Sequence, residues 1–136
     1  MSQSPNDSLT LVDSSTWIGF LRGDPAARAR LDPLMAGPSV RISGPIFTEV
    51  VSGARHRADQ VRLMVLLRKI PWLVPMDPIW ERVAETRIAL ARLGWQCQIL
   101  DIMIALTAVD YGATLLARDR DFERMVGVLP LELELF

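Results

Sequence analysis

Four acidic residues of this 136-residue chain lie beside apolar segments: Asp13, Glu49, Asp101 and Asp119. Asp121 adds a fifth carboxylate. The carboxyl ends of strands in an open α/β sheet meet at one crevice, where such folds bind ligands. Carboxylates gathered in a crevice repel one another unless a cation lies between them. Oxygen ligands suit Mg²⁺ or Mn²⁺. The pattern therefore predicts a divalent metal site and, with it, hydrolysis of a phosphodiester.

Helix capping is the competing interpretation of the same acids. Asp13 and Asp101 each stand where a helix could begin, and residues 119–121 could form a solvated turn. Asp101 favours the metal site, because it borders the apolar segment 102–106, where an unpaired charge is costly.

The elements that must position these acids alternate between strand and helix patterns. Short apolar runs predict strands at 9–12, 40–42, 72–74, 114–117 and 131–135. Helical spacing, cap residues and Gly stops predict helices at 14–22, 26–35, 44–52, 58–69, 79–93, 99–109 and 119–126. Such alternation is typical of an α/β fold with a parallel sheet.

Two of the predicted helices have wide apolar faces. The helix at 79–93 is expected to bury Trp80, Val83, Ala84, Ile88, Leu90 and Ala91. The helix at 58–69 repeats apolar residues at Val61, Val65 and Leu66. We expect most of this second face to pack in the core, with a partner surface as the alternative.

Composition sets the outer limits of the interpretation. The length fits one domain, at residues 9–136, after a polar tail at residues 1–8. The formal net charge of −1 gives no global attraction to nucleic acid, although 14 of the 15 basic residues are Arg, which binds phosphate well. The single cysteine, Cys97, excludes an intramolecular disulfide and is expected in the core. With no secretory signal and no apolar run that could cross a membrane, we expect a soluble, intracellular protein.

Other catalytic chemistries find little support in the residue types. His56 is the only histidine, so a histidine-based metal cluster is excluded. No Gly-x-Ser-x-Gly elbow accompanies it, which argues against a serine hydrolase. A phosphoryl-transfer receiver would need a second Asp two residues after Asp13, where Ser15 stands. The four Trp residues fall in apolar patterns and are expected in the core or at an interface rather than under a nucleic-acid base.

Four sequence motifs, in order, resemble those of the PIN-domain ribonucleases, and specifically the toxins of bacterial VapBC toxin–antitoxin pairs. They are Leu-Val-Asp-Ser-Ser-Thr-Trp-Ile at 11–18 with Phe-Leu-Arg-Gly at 20–23, Ile-Phe-Thr-Glu-Val-Val-Ser-Gly at 46–53, Asp-Ile-Met-Ile-Ala at 101–105 and Ala-Arg-Asp-Arg-Asp-Phe-Glu at 117–123. Each motif alone is weak, but their order and spacing agree across the chain after the tail. Many members of that family have an acid soon after the Trp-Ile pair, where this chain has Gly19.

The resemblance implies a three-layer α/β/α PIN-like domain with a small, mainly parallel sheet, acting as an endoribonuclease that depends on Mg²⁺ or Mn²⁺. By this resemblance the catalytic acids are Asp13, Glu49, Asp101 and Asp119. The implied metal ligands are Asp13, Asp101, Asp119 and Asp121, with Glu49 binding metal through water or orienting the attacking water. Ser15 stands where the family often has a small hydroxyl residue that supports the site.

The resemblance also implies partners. These are an RNA substrate, with tRNA and ribosomal RNA as the candidates, a small antitoxin protein, and a second copy of the chain in a homodimer in the cytoplasm. Arg55, Arg118 and Arg120 lie near the motifs and could hold an RNA backbone; a solvated surface is the alternative for each. A PIN-like module that binds RNA or a partner without cleaving is the alternative function.

Overall fold

The computed structural model describes residues 8–136, so the predicted tail at residues 1–8 lies outside the described residues except for Ser8. Strands and helices alternate through the described part. The strands are β1 (Thr10–Val12), β2 (Val40–Arg41), β3 (Thr114–Ala117) and β4 (Glu132–Leu135). The helices are α1 (Ser14–Leu21), α2 (Pro25–Met35), α3 (Gly44–Ser52), α4 (Arg57–Arg68), α5 (Ile79–Arg92), α6 (Ile99–Asp110) and α7 (Asp121–Val126).

The four strands form one parallel sheet with the order β2-β1-β3-β4, flanked by helices, as predicted. The chain passes from β1 to β2 on one side, and β3 then pairs with β1 on the other. In open α/β sheets, the point where strand order reverses is where a crevice opens beyond the carboxyl ends of the strands. The acids after β1 and β3 lie at this point.

The core surrounds the two central strands and helix α6. Leu11, Val12, Leu115 and Leu116 have no exposed surface, and α6 is buried from Ile102 to Ala108. The nearly continuous apolar sequence of these elements is what a strand or helix covered on both faces requires. The central position predicted for this helix is confirmed.

The edge strand predicted at residues 72–74 is wrong. Within this segment only Trp72 forms a bridge, an isolated one with Ile42. Pro71 and Pro75 bracket the segment and donate no backbone hydrogen bond, so the ladder cannot extend in either direction.

The inward face predicted for α5 is also wrong in part. Trp80 is 65% exposed and Ile88 is 52% exposed, and Ala84 and Ala91 face outward with them. The buried residues of α5 are Ile79, Val83, Thr86 and Leu90. They form one stripe at spacings of three and four, so the helix is rotated relative to the prediction.

Helix α4 also exposes apolar residues that were predicted to be buried. Val61, Val65 and Leu66 are all more than 40% exposed, and Leu67 is the buried residue of this helix. Both helices therefore present apolar side chains on the outside of the domain. Among the described residues, no helix is long and apolar enough to cross a membrane.

Candidate active site

Two of the predicted acids follow adjacent parallel strands. Asp13 comes directly after β1, and its backbone N–H donates to the carbonyl oxygen of Leu116 in β3 at 2.9 Å. Asp119 comes two residues after the end of β3. The pairing of β1 with β3 thus brings both acids to the carboxyl edge of the sheet, as predicted.

Asp13 is a buried carboxyl group, only 5% exposed. Its pKa is raised to about 6, mainly by burial and to a smaller extent by the charge of Glu49, while interactions with Ser14 and Ser15 partly offset these effects. Although Asp13 occupies the cap position of α1, its side chain makes no capping hydrogen bond. By contrast, the Asp24 carboxylate accepts from the Ala27 N–H at 3.0 Å and does cap α2. Capping therefore does not account for the Asp13 side chain.

Two serines connect the first two acids. The Ser15 hydroxyl donates to Oδ2 of Asp13 at 3.1 Å, which agrees with the supporting position predicted for Ser15. The Ser14 hydroxyl donates to Oε2 of Glu49 at 3.0 Å and so links the start of α1 to α3. Ser14 was not predicted as a site residue. Its partner lies 35 residues away, and the only local signal was a serine beside Asp13.

Asp101 faces the other acids from the first turn of α6. Burial, followed by the charges of Asp13, Asp119, Glu49 and Asp121 in that order, raises its pKa to about 7. The N-terminal residue that caps α6 is Gln98, so Asp101 is not the cap. All five carboxylates therefore contribute negative charge to one crevice, which is formed by two strand ends and two helices. Asp101 is the residue on which the charges of the other four act.

Asp119 and Asp121 have the features of a turn as well as those of a site. Oδ1 of Asp119 accepts from the backbone N–H of Asp121 at 2.9 Å, a local bond typical of Asp before a helix. Asp121 also lies 3.7 Å from Nη1 of Arg124. The local bond fits the turn interpretation of residues 119–121, while the charge of Asp119 still raises the pKa of Asp101.

The donor set fits a hard divalent cation. Every candidate ligand is a carboxylate oxygen, the ligand type that Mg²⁺ and Mn²⁺ prefer. The pKa values of Asp13 and Asp101 are raised by burial and by neighbouring carboxylates, and a bound cation would oppose both effects. In the part of the chain that the structure describes, no three of these side chains already converge as a formed metal site. The acids are close neighbours rather than a finished coordination sphere.

The three arginines predicted to touch RNA have different surroundings. Arg118 forms an ion pair with Asp24 at 2.9 Å and stacks 4.8 Å from the ring centroid of Phe136. Arg120 is 83% exposed and lies 3.5 Å from Glu123, a pair that solvent weakens. Arg55 is exposed in the turn before α4, next to the exposed His56. Arg120 and Arg55 are the more available cations.

Close packing explains why this chain has Gly19 where many members of the resembled family have an acid. A Cβ atom at this position would lie 3.1 Å from Cβ of Ala27 and 3.3 Å from Nη1 of Arg118. The two helices α1 and α2 approach each other here, so a longer side chain would have to displace one of these neighbours.

Comparison with known protein families identifies the family to which this chain belongs. The model of the PIN domain matches residues 10–128, most of the chain. The chain belongs to the PIN-domain family. Among curated PIN-domain proteins, it is 32% identical over 107 residues to ribonuclease VapC21 of Mycobacterium tuberculosis, covering 76% of this chain and 78% of the relative. It is 29% identical over 129 residues to ribonuclease VapC11 of the same organism, covering 91% and 96%.

Solved structures have the same PIN fold. VapBC2 from Rickettsia felis, bound to a DNA fragment from its promoter, aligns with a TM-score of 0.74 at 21% identity over 94% of this chain and 98% of that one. VapBC-5 from Mycobacterium tuberculosis aligns with a TM-score of 0.70 at 22% identity, over 95% and 99%. FitAcB from Neisseria gonorrhoeae aligns with a TM-score of 0.70 at 19% identity, over 92% and 96%. These identities establish the shared fold.

The raised pKa of Asp101 predicts a stability cost in this PIN domain. The folded carboxyl holds a proton up to about pH 7, whereas the unfolded one loses it near 3.8, so stability falls as pH rises through that interval. In chelator-treated buffer at about pH 8, Asp101→Asn should therefore raise the melting temperature. We expect roughly 3–6 °C, the change produced by about 1 kcal/mol in a domain of this size.

The matched control is Asp32→Asn, which removes an exposed carboxylate on α2 and should change the melting temperature little. At about pH 5 the advantage of Asp101→Asn should shrink, because the wild-type carboxyl is then mostly protonated. An Asp101→Asn variant that is less stable than wild type at both pH values would contradict the electrostatic cost assigned to Asp101. Thermal unfolding followed by circular dichroism provides the measurement.

Proposed function

We propose that this chain is the toxin of a type II, VapBC-type toxin–antitoxin pair and that it hydrolyses RNA phosphodiesters in a metal-dependent reaction. The observation that carries the proposal is the position of Asp101, on which the charges of four other carboxylates, from three other segments of the chain, act. The curated relatives VapC21 and VapC11 are named as ribonucleases, which supports the same activity here. Since its substrate would be cellular RNA, we expect the protein to act in the cytoplasm.

The residues that would hold Mg²⁺ or Mn²⁺ are Asp13, Asp101, Asp119 and Asp121. When bound, such a cation supplies water activation and neutralises charge on the reacting phosphate. Asp13 and Asp101 are the principal ligands in this proposal, because they are the acids whose charged form the protein alone stabilises least. Asp119 and Asp121 add charge from the turn after β3.

Glu49 has a different part in the proposed reaction. It is exposed on α3, and the Ser14 hydroxyl orients its carboxylate at the edge of the crevice. From there it can accept a hydrogen bond from the attacking water and take its proton as the new phosphorus–oxygen bond forms. The phosphorus–oxygen bond to the leaving ribose oxygen breaks in the same reaction. Ser15 keeps the Asp13 carboxylate in one orientation.

RNA contacts must offset the negative charge of the crevice. We propose that Arg120 and Arg55 bind phosphates on either side of the scissile bond, because both are exposed and near the acids in sequence. Arg118 could join them only by exchanging its ion pair with Asp24 for a phosphate. A structured RNA such as tRNA or ribosomal RNA is the proposed substrate, and sequencing the ends of cleaved RNA would identify it.

The test of catalysis compares the wild type with Asp13→Asn and Asp101→Asn. Each substitution keeps the size of the side chain and removes one charged ligand, so cleavage of total RNA in Mg²⁺ or Mn²⁺ should fall at least about 100-fold. Asp32→Asn is the matched control and should cleave like wild type. A chelator should abolish cleavage, and added Mg²⁺ or Mn²⁺ should restore it. RNA binding with no metal-dependent cleavage by the wild type would instead support the non-catalytic alternative.

An apolar groove between α1, α3 and α4 suits a small antitoxin. The cavity has a volume of about 620 Å³ and is lined by the apolar side chains of Ile18, Leu21, Val50, Leu63 and Leu66. Its charged lining residues are Arg22, which is exposed, and Arg62, which forms an ion pair with Asp59 at 2.9 Å. An amphipathic helix with acidic residues beside its apolar face would complement both features. The structures with the same fold include toxin–antitoxin complexes, such as the one from Klebsiella pneumoniae. We therefore propose that the antitoxin binds in this groove.

Leu66→Glu tests the groove by placing a carboxylate on its apolar wall. We expect affinity for the antitoxin, to be sought as the product of a small open reading frame beside the gene, to fall at least about 10-fold, because burying an unpaired charge is costly. Val65→Glu is the control, since Val65 is exposed on the same helix but is not part of the groove wall. Affinities from isothermal titration calorimetry that are equal for the two variants would show that the partner binds elsewhere.

The outward face of α5 suits a second copy of the chain. Trp80, Ala84, Ile88 and Ala91 line a shallow cleft of about 450 Å³ together with Ile99 of α6. A cluster of exposed apolar side chains on one helix is typical of a protein–protein interface. We propose that this face forms the homodimer interface.

Trp80→Glu and Ile88→Glu test the dimer. Each places a charge at the centre of the proposed interface, and in a symmetric dimer that charge appears twice. We expect both variants to sediment as monomers at concentrations where the wild type is a dimer. Val61→Glu, an exposed apolar position on α4, is the control and should remain dimeric. Dimers formed by the α5 variants would place the interface on another surface.

A further inference from the structure

A second cleft adjoins the acidic crevice on the side of Asp121. It has a volume of about 520 Å³ and is lined by residues that include Leu93, Trp95, Arg120, Asp121 and Arg124; we call it the Trp95 cleft. Asp121 belongs both to this cleft and to the group of acids that raises the pKa of Asp101. The cleft therefore begins where the candidate active site ends, and its size is within the usual range for small-ligand sites, about 300–1,000 Å³.

A fixed backbone turn presents Trp95 to the cleft. Gly94 has a φ of +86°, the left-handed conformation that ends a helix and that glycine adopts without strain. The N–H of Gly94 donates to the carbonyl oxygen of Ala91 at 2.9 Å, and the N–H of Trp95 donates to that of Leu90 at 3.0 Å. The indole is nevertheless 39% exposed. The turn thus leaves part of a large aromatic ring at the surface, so of the two positions predicted for the Trp residues, core or interface, Trp95 does not take the core one.

The ring is paired with cations that point to a nucleic-acid ligand. The guanidinium of Arg124 lies 4.4 Å from the ring centroid of Trp95 and 3.7 Å from Oδ1 of Asp121. Arg120, 83% exposed, lines the same cleft and lies 3.5 Å from Glu123, which also lines it. An aromatic plane beside arginines is the combination that binds unpaired bases and their phosphates, because every base has a face that can stack and every linkage carries a negative charge.

We propose that the Trp95 cleft binds an unpaired RNA base next to the scissile phosphodiester. The base stacks on the indole of Trp95 or on the guanidinium plane of Arg124, and Arg120 contacts the neighbouring phosphate. This inference rests on the proposed ribonuclease function, since it assigns a substrate subsite to the same crevice. It makes Trp95 a residue that selects single-stranded over paired RNA, because a base can enter the cleft only when it is free of its partner strand.

The test measures binding of two probes to protein in which Asp13→Asn prevents cleavage. One probe is a single-stranded RNA decamer, and the other is the same ribose-phosphate chain without bases. Trp95→Ala should weaken binding of the decamer roughly 5- to 150-fold, the range for loss of one stacked base. It should leave binding of the abasic chain unchanged. Trp95→Phe, which keeps an aromatic face, should retain most of the affinity for the decamer.

Three outcomes would overturn the inference. Equal loss of affinity for both probes would mean that Trp95 supports the fold and not a base. Unchanged affinity for both would mean that RNA does not use the cleft. Unchanged RNA binding with weakened binding of the adjacent gene's protein would make Trp95 a protein contact. The binding assay needs no cleavage, so it is independent of the proposed nuclease activity. If wild-type protein does not cut RNA but Trp95→Ala still weakens binding of the decamer alone, the nuclease activity is overturned and the base-binding cleft is retained.

Discussion

Repulsion among carboxylates is the constraint on which the rest of this structure depends. Asp13 and Asp101 lie with three other acids at the carboxyl edge of the sheet, where their own burial and the like charges around them both oppose ionisation. Left to themselves, such groups would separate. They stay together because two of the acids follow adjacent buried strands and a third begins the buried helix α6. The apolar core thus stabilises a fold in which carboxylates repel one another at one edge of the sheet.

Small hydroxyl groups connect this strained edge to the scaffold. Ser15 and Ser14 each donate to one carboxylate, so the first turn of α1 orients both Asp13 and Glu49. On the other side, the ion pair of Arg118 with Asp24 and its stacking on Phe136 tie the residue before Asp119 to α2 and to the segment after β4. Of the two arginines that flank Asp119, Arg118 is therefore tied to the fold, whereas Arg120 is left exposed.

Much of this could be predicted from the sequence. Buried strands and helices have strong signals, so the parallel sheet and the acids at its edge could be found from apolar runs and the residues after them. The errors have physical reasons. Residues 72–74 have the composition of a strand, yet the flanking prolines cannot extend a ladder. Helix α5 has apolar residues on two faces, and periodicity cannot tell which face meets the core and which is left for a partner. The Ser14–Glu49 contact and the Arg118–Asp24 pair join residues far apart in the chain, and only the fold decides them.

The protons held by Asp13 and Asp101 have a consequence for how the site would take up a cation. With pKa values of about 6 and about 7, both carboxyls are partly protonated in a mildly acidic solution. A cation that binds must displace those protons, so uptake is an exchange of one charge for another, and its apparent affinity falls as the medium acidifies. The crevice would thus couple cation occupancy to ambient acidity over the range in which cellular pH varies, without a histidine.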